Sequence, residues 1–434
     1  MEIGLGCDMT YGPKKSLDLW DRYFTHKDAR IFFIEYDSIC AEKLQHSRPR
    51  VSVDGGDQGN TTFLNSFIEK HGGNFDIIVD DGGHRMGQQI TSLVTLFPAL
   101  ISGGLYFIED MQTSYLAQYG GGYLKEQTTI EYIKRMIDAF YGQGTATEII
   151  KLVRSIHCFH QLCLFIKKSG PDYVAEHITH FANEEKKKSV KADFDLETVT
   201  NNATDYSIHG ENGELLKNDF VKTKADYFKN FREIALESGT SKVITPFIFA
   251  YDQYLPDLRH SPVRFVEIGL GCDMTYGPGK SLDLWDRYFT HKDARIFFIE
   301  YNSVCAEKLQ HSRPRVSVDG GDQGNTTFLN SFIEKHGGNF DIIVDDRGRR
   351  MEQVITSLVT LFPALISGGL YFIEDMHTSY MEHYGGGYLK EQTTIEYIKR
   401  MIDAFYGQGT ATEIIELVRS IHCFHQLCLL IKKK

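Results

Sequence analysis

Two pairs of adjacent carboxylates and one histidine set the chemistry this chain can attempt. Asp80 and Asp81 end the run FDIIVDD, Glu109 and Asp110 end GLYFIEDM, and His84 follows Asp81 by three residues. Both runs read as strands of a parallel sheet. Neighbouring strands lie about 4.8 Å apart, so carboxylates at adjacent strand ends can converge on one cation. Several oxygen ligands in an open site favour Mg²⁺ or a similar hard ion, and four carboxylates gathered without one would repel each other. The competing reading is a solvated acidic rim. Imidazole is the usual general base, which makes His84 beside such a site a candidate, although a lone histidine is more often structural.

A second set of residues suits a nucleoside. Glu2-Ile3-Gly4-Leu5-Gly6 closes a first strand with glycines that allow close approach to the backbone. Glu35 closes the second strand, where a carboxylate can hold ribose hydroxyls, and Asp54 and Asp57 close the third. A dinucleotide fingerprint would continue to a third glycine, but Met9 stands there. That disfavours a pyrophosphate cradle, and with it a nicotinamide-dependent oxidoreductase. A tight turn with no ligand is the bland alternative.

The elements that must position these groups alternate strand and helix, the pattern of an α/β, doubly wound sheet covered on both faces. Ser16 is a plausible N-cap for a helix carrying Leu17, Trp20, Tyr23 and Phe24. Helices follow at CAEKLQ, at 60–70 and at 88–100, the last ended by Ser102-Gly103-Gly104. The glycine-rich YGGGY at 119–123 leads to a helix at 128–141, and β-prone runs lie around 147–153 and 156–166.

The whole unit occurs twice. Glu2–Lys168 returns as Glu267–Lys433 with about 13 substitutions. The expected architecture is therefore two tandem Rossmann-like domains, each with a mainly parallel seven-stranded sheet: 1–168, a polar linker at 169–218, and 219–434, which adds a helical N-terminal cap to copy two. Met1 stands where copy two has Val266, so copy one reads as N-terminally truncated. About eight substitutions fall in two windows, Gly82–Gln89 (Arg347–Val354) and Gln112–Gln118 (His377–His383).

With 42% hydrophobic and 24% charged residues the chain can build real cores, and a net charge of −11 without a basic run argues against nucleic acid as a main partner. No run is long enough for a membrane helix and no signal peptide opens the chain, so a cytoplasmic location is expected. The cysteines, four per copy, are expected as free buried thiols. His157, Cys158, His160 and Cys163 have the residue types of a zinc site, but in a β-prone run adjacent side chains point to opposite faces.

Together, EIGLG, SLDLW, Glu35, the Asp57-Gln58 pair, FDIIVDDGGH, LFPALISGGLYFIEDM and TSY…YGGG resemble class I S-adenosylmethionine-dependent methyltransferases, in particular the metal-dependent group that O-methylates sugars of macrolide antibiotics. SGTSKVITPFIFAYDQYLPDLR, ahead of copy two, resembles that group's N-terminal segment. The resemblance implies Asp81, Glu109 and Asp110 as metal ligands, His84 as base, and Glu2, Gly4, Gly6, Glu35 and Asp57 around S-adenosylmethionine. In copy two it implies Asp346, Glu374 and Asp375 for the metal, and Glu267, Gly269, Gly271, Glu300 and Asp322 for the methyl donor.

Copy two departs from the pattern, with Arg349 in place of the base and Arg347 in place of Gly82. Arginine stays protonated and can pair with the carboxylates. The expectation is an O-methyltransferase acting on a hydroxyl of a sugar or other small molecule, with copy two impaired. The alternative is a duplicated pseudoenzyme that binds S-adenosylmethionine or a partner without turnover. Pairing of the copies within the chain, or homo-oligomerisation, is left open.

Overall fold

Runs of β-branched and aromatic residues form strands covered on both faces, and the amphipathic stretches between them form the covering helices. The computed structural model describes residues 1–7, 14–45, 47–145, 148–169, 229–243, 247–272, 278–310, 312–346, 350–410 and 413–434. Met9, Met274, Arg347, Arg349 and nearly all of the expected linker lie outside them.

Copy one runs β1 (Glu2–Ile3), α1 (Lys14–Tyr23), β2 (Ile31–Glu35), α2 (Ser38–Leu44), β3 (Val51–Gly55), α3 (Thr61–His71), β4 (Phe75–Asp80), α4 (Met86–Leu96), β5 (Leu100–Ile108), α5 (Thr129–Ala139), β6 (Val153–Phe159) and β7 (Cys163–Lys167). Helices α6 (Phe231–Ser238) and α7 (Phe247–Tyr254) form the cap ahead of copy two. Copy two then repeats the order with β8 (Arg264–Ile268), α8 (Gly279–Tyr288), β9 (Arg295–Glu300), α9 (Ser303–Leu309), β10 (Val316–Gly320), α10 (Thr326–His336), β11 (Phe340–Asp345), α11 (Met351–Leu361), β12 (Leu365–Ile373), α12 (Thr394–Ala404), β13 (Val418–Phe424) and β14 (Cys428–Lys432).

Each copy has the strand order 3-2-1-4-5-7-6, with β1 to β5 parallel and the β6–β7 hairpin running against β5. The order reverses between β1 and β4, so a crevice opens beyond their carboxyl ends. The two expected sheets are one. Antiparallel pairing of β6 with β13, His157 opposite His422, joins them into a single fourteen-stranded sheet. The contacts around that seam repeat in both directions. Tyr115 Oη and Lys134 Nζ donate to Asp403, each at 2.8 Å, while Tyr380 Oη and Lys399 Nζ donate to Asp138, again at 2.8 Å.

The cap covers α8. Phe231 and Tyr251 lie with ring centroids 5.7 and 5.5 Å from Trp285, which is fully buried with Leu284 and Tyr288. On the matching face of α1, Leu19 is 54% and Tyr23 69% exposed.

Several local expectations are corrected. Helix α1 starts before Ser16, whose hydroxyl donates to the Glu2 carboxylate instead of capping. Helix α4 ends at Leu96, and Ser102-Gly103-Gly104 lies within β5, where Gly103 has φ +77°. The first closing β-prone run is a 3₁₀ turn (Glu148–Leu152), and the second folds back on itself as the β6–β7 hairpin. The cysteines are not free thiols. Cys7–Cys40, Cys158–Cys163, Cys272–Cys305 and Cys423–Cys428 are disulfides, because the β-turn and the β1–α2 approach each bring a pair together. His157 is buried and stacked on His422, so the residues considered for zinc serve the seam instead.

Candidate functional site

At the carboxyl ends of β4 and β5 the chain turns sharply and brings three side chains to one point. Ligand atoms of Asp81, His84 and Asp110 all lie within 4.8 Å of one another, whereas Glu109, expected beside them, does not join that group. His84 Nε2 is 3.8 Å from Asp81 Oδ1 and 3.4 Å from Asp110 Oδ2. Both His84 (φ +51°) and Asp110 (φ +53°) adopt the left-handed backbone region. Non-glycine residues enter it at a cost, and they cluster where geometry is needed for function. The ring of Tyr119, from the glycine-rich loop, meets His84 edge-on at 6.3 Å.

The electrostatics are those of crowded, half-buried like charges. Burial first, then Glu109, Glu2, Asp110 and Asp80, push the Asp81 carboxyl up to about 7. Burial and Asp110 raise that of Glu109 as well. His84 Nδ1 is buried with no hydrogen-bond partner. Oxygen-rich donors that repel one another as they stand suit a hard divalent cation.

Asp80, the fourth carboxylate of the constellation, is spent elsewhere. It is fully buried, accepts from Gln58 Nε2 (2.8 Å), the Ser92 hydroxyl and Tyr106 Oη (3.1 Å), and burial raises its pKa. Gln58 Oε1 in turn accepts from the amide of Gly83 at 2.8 Å. Asp80 therefore holds the loop that carries His84. A Cβ on Gly82 would lie 1.8 Å from Gln58 Oε1, so a larger residue there would displace the Gln58 amide from this loop.

Just after β1, the chain passes close to the turn that follows β4. Gly4 has φ +89°, and a Cβ there would lie 2.2 Å from the Asp81 carbonyl oxygen. Its smallness admits the Asp81–Gly82 turn beside it. Glu2 accepts from Ser16 and Trp20, and burial raises its pKa. Glu35 is fixed by backbone amides, Leu5 N at 3.1 Å and Asp37 N at 3.0 Å. The Cys7–Cys40 disulfide ties the two segments beside it. Asp57 Oδ1 accepts from Gly59 N (2.8 Å) and Gln88 Nε2 (3.0 Å).

In copy two a cavity of about 750 Å³ gathers Gly269, Glu300 and Asp322 with Ile299, Gln353 and Tyr384. Those three expected donor-binding residues line one space; Glu267 and Gly271 do not. Glu267 lies behind it, accepting from Trp285 Nε1 at 2.9 Å.

The acidic cluster of copy two differs in kind. Lys242, from the cap, reaches Glu374 Oε2 at 2.7 Å, Asp346 Oδ2 at 2.9 Å and Glu267 Oε1 at 3.0 Å. The Tyr251 hydroxyl donates to the other oxygen of Glu374. Asp375 Oδ1 lies 3.9 Å from His377 Nδ1. Lys242 and Tyr251 escaped the sequence reading because nothing in their spacing ties them to Asp346 and Glu374, more than 100 residues away. Gln89 could have been found. It bonds the Glu109 carbonyl (3.3 Å) and Thr129 Oγ1 (2.8 Å), and it is among the residues that differ between copies, being Val354 in copy two.

No protein-family model matches the chain. It is 34% identical over 176 residues to the 8-demethyl-8-alpha-L-rhamnosyl tetracenomycin-C 2'-O-methyltransferase of Streptomyces olivaceus, covering 40% of this chain and 45% of that protein. To the mycinamicin VI 2''-O-methyltransferase of Micromonospora griseorubida it is 29% identical over 220 residues, covering 46% and 53%. Among solved structures it is similar to the MycE methyltransferase of the mycinamycin pathway in complex with Mg, SAH and mycinamycin VI, at 28% identity, 48% of this chain, 56% of that one and a TM-score of 0.43. The chain spans about half the length of these relatives. Its resemblance to class I S-adenosylmethionine-dependent sugar O-methyltransferases thus extends beyond short motifs.

Proposed function

We propose that the chain is an S-adenosylmethionine-dependent O-methyltransferase for a hydroxyl of a sugar or similar small molecule, with its working site in copy one. The observation that carries this reading is the convergence of Asp81, His84 and Asp110 at the β4 and β5 ends, with Asp81 held up to about 7 by burial and like charge. The similarity to sugar O-methyltransferases supports it.

Asp81, Glu109 and Asp110 would hold a divalent cation, which when bound lowers the pKa of an acceptor hydroxyl and orients it. His84 takes the hydroxyl proton at Nε2, the ring atom that faces the carboxylates, as the oxygen attacks the sulfonium methyl in line. Glu35 and Asp57, fixed by amides and by Gln88, present carboxylates for the nucleoside of the methyl donor. Tyr119 and the glycine-rich loop after it close over the acceptor.

Copy two carries arginine at the base position and keeps the donor-side cavity, which supports a non-catalytic role for it. We read the two copies as a pair joined along β6 and β13. Calorimetric titration of the purified chain with S-adenosylmethionine tests the reading. Saturable binding is expected, and absence of binding would remove the proposal for both copies.

A further inference from the structure

The cap supplies copy two with its own cation. The Lys242 ammonium sits in a 3₁₀ turn (Ser241–Val243), with its side chain 2% exposed and three carboxylates within 3.0 Å. Glu267 and Glu374 are sealed from solvent with it. In the first copy the side chain that converges with Asp81 and Asp110 is His84.

A divalent ion entering copy two would have to share Glu374 and Asp346 with this ammonium or expel it. Sharing places like charges a few ångströms apart, and expulsion strands a buried lysine without partners. Arg347 and Arg349 add positive charge to the same loop in sequence. The residues implied as copy-two metal ligands therefore do not fit a divalent cation.

We propose that Lys242 is a built-in counter-ion for Glu267, Asp346 and Glu374, so that the chain takes up one divalent cation, in copy one. This rests on reading Asp81, Glu109 and Asp110 as a cation site. The lysine replaces the ion in electrostatic terms and leaves copy two with a preformed, metal-free donor pocket.

Mn²⁺ titrated into the full chain, with free Mn²⁺ followed by electron paramagnetic resonance, counts the sites. One Mn²⁺ per chain is expected, lost in Asp110→Asn and retained in Asp375→Asn. Lys242→Met is expected to create a second site at least tenfold tighter than any second binding in the parent. Two sites in the parent chain, or loss of the single site in Asp375→Asn, would overturn the inference. So would a soluble Lys242→Met chain that still binds one ion. No bound Mn²⁺ at all would instead overturn the copy-one cation site on which the inference rests.

Discussion

His157 and His422 stack face to face across the seam between the copies, with ring centroids 4.1 Å apart and planes 2° from parallel. Burial holds the His157 imidazole down at about 3, and burial followed by His157 and Arg419 keeps His422 well below its ordinary value. Unfolded imidazoles titrate near about 6.5. The folded values are lower, so this contribution to stability is complete above about pH 6.5 and is lost as pH falls toward about 3, by up to about 1.4 kcal/mol per pH unit for each ring. Thermal unfolding should show a steeper loss below pH 6.5 in the parent than in His157→Gln/His422→Gln. Equal pH slopes would refute this account of the seam.

Lys134 and Lys399 each lie against an aspartate of the other copy, Asp403 and Asp138. Removing one partner of a buried pair leaves an uncompensated charge, at a cost of about 3–5 kcal/mol. Lys134→Met should lower the unfolding midpoint in denaturant accordingly, and Lys134→Met/Asp403→Leu should recover a substantial part of the loss. A double variant as unstable as the single one would show that the pairing is not what matters.

Asp81 titrates upward because the folded cluster resists its charge, so the folded value exceeds the unfolded one. Stability from this group is present at low pH and is lost as pH rises from about 4 through about 7. A divalent cation should restore it. Mg²⁺ is expected to raise the melting temperature more at pH 8 than at pH 5, and this difference should vanish in Asp81→Asn.

Gly4→Ala forces φ +89° on a residue with a Cβ and drives that Cβ into the Asp81 carbonyl. The backbone cost alone is about 1–3 kcal/mol. The matching residue, Gly269, has φ +97°. Both alanine variants should lose stability in denaturant melts, and the Gly4 variant should also weaken Mn²⁺ binding. Unchanged Mn²⁺ affinity would show that the loop does not depend on the crossing.

The strand and helix order and the carboxylates at strand ends were legible in the sequence because period and position carry them. The junction of the two sheets was not. Its determinants, β6 against β13 and Asp138 against Lys399, look like any edge strand and any amphipathic helix when read alone. Asp80 and Asp81 are adjacent and chemically identical, yet one is buried under Gln58, Ser92 and Tyr106 and the other faces the site. That division follows from the alternation of strand side chains, and its function from residues far apart in sequence. The close crossing at Gly4 was not legible either, because a glycine's φ is visible in sequence only as permission. Its neighbour, the Asp81 carbonyl, comes from the next strand.

Methyl transfer from labelled S-adenosylmethionine to glycosylated acceptors, with and without a chelator, tests the central claim most directly. The account predicts cation-dependent transfer that falls by about 10²–10⁴-fold in His84→Gln, is abolished in Asp81→Ala, and is unchanged in Asp375→Asn. Transfer that survives both the chelator and Asp81→Ala would contradict it.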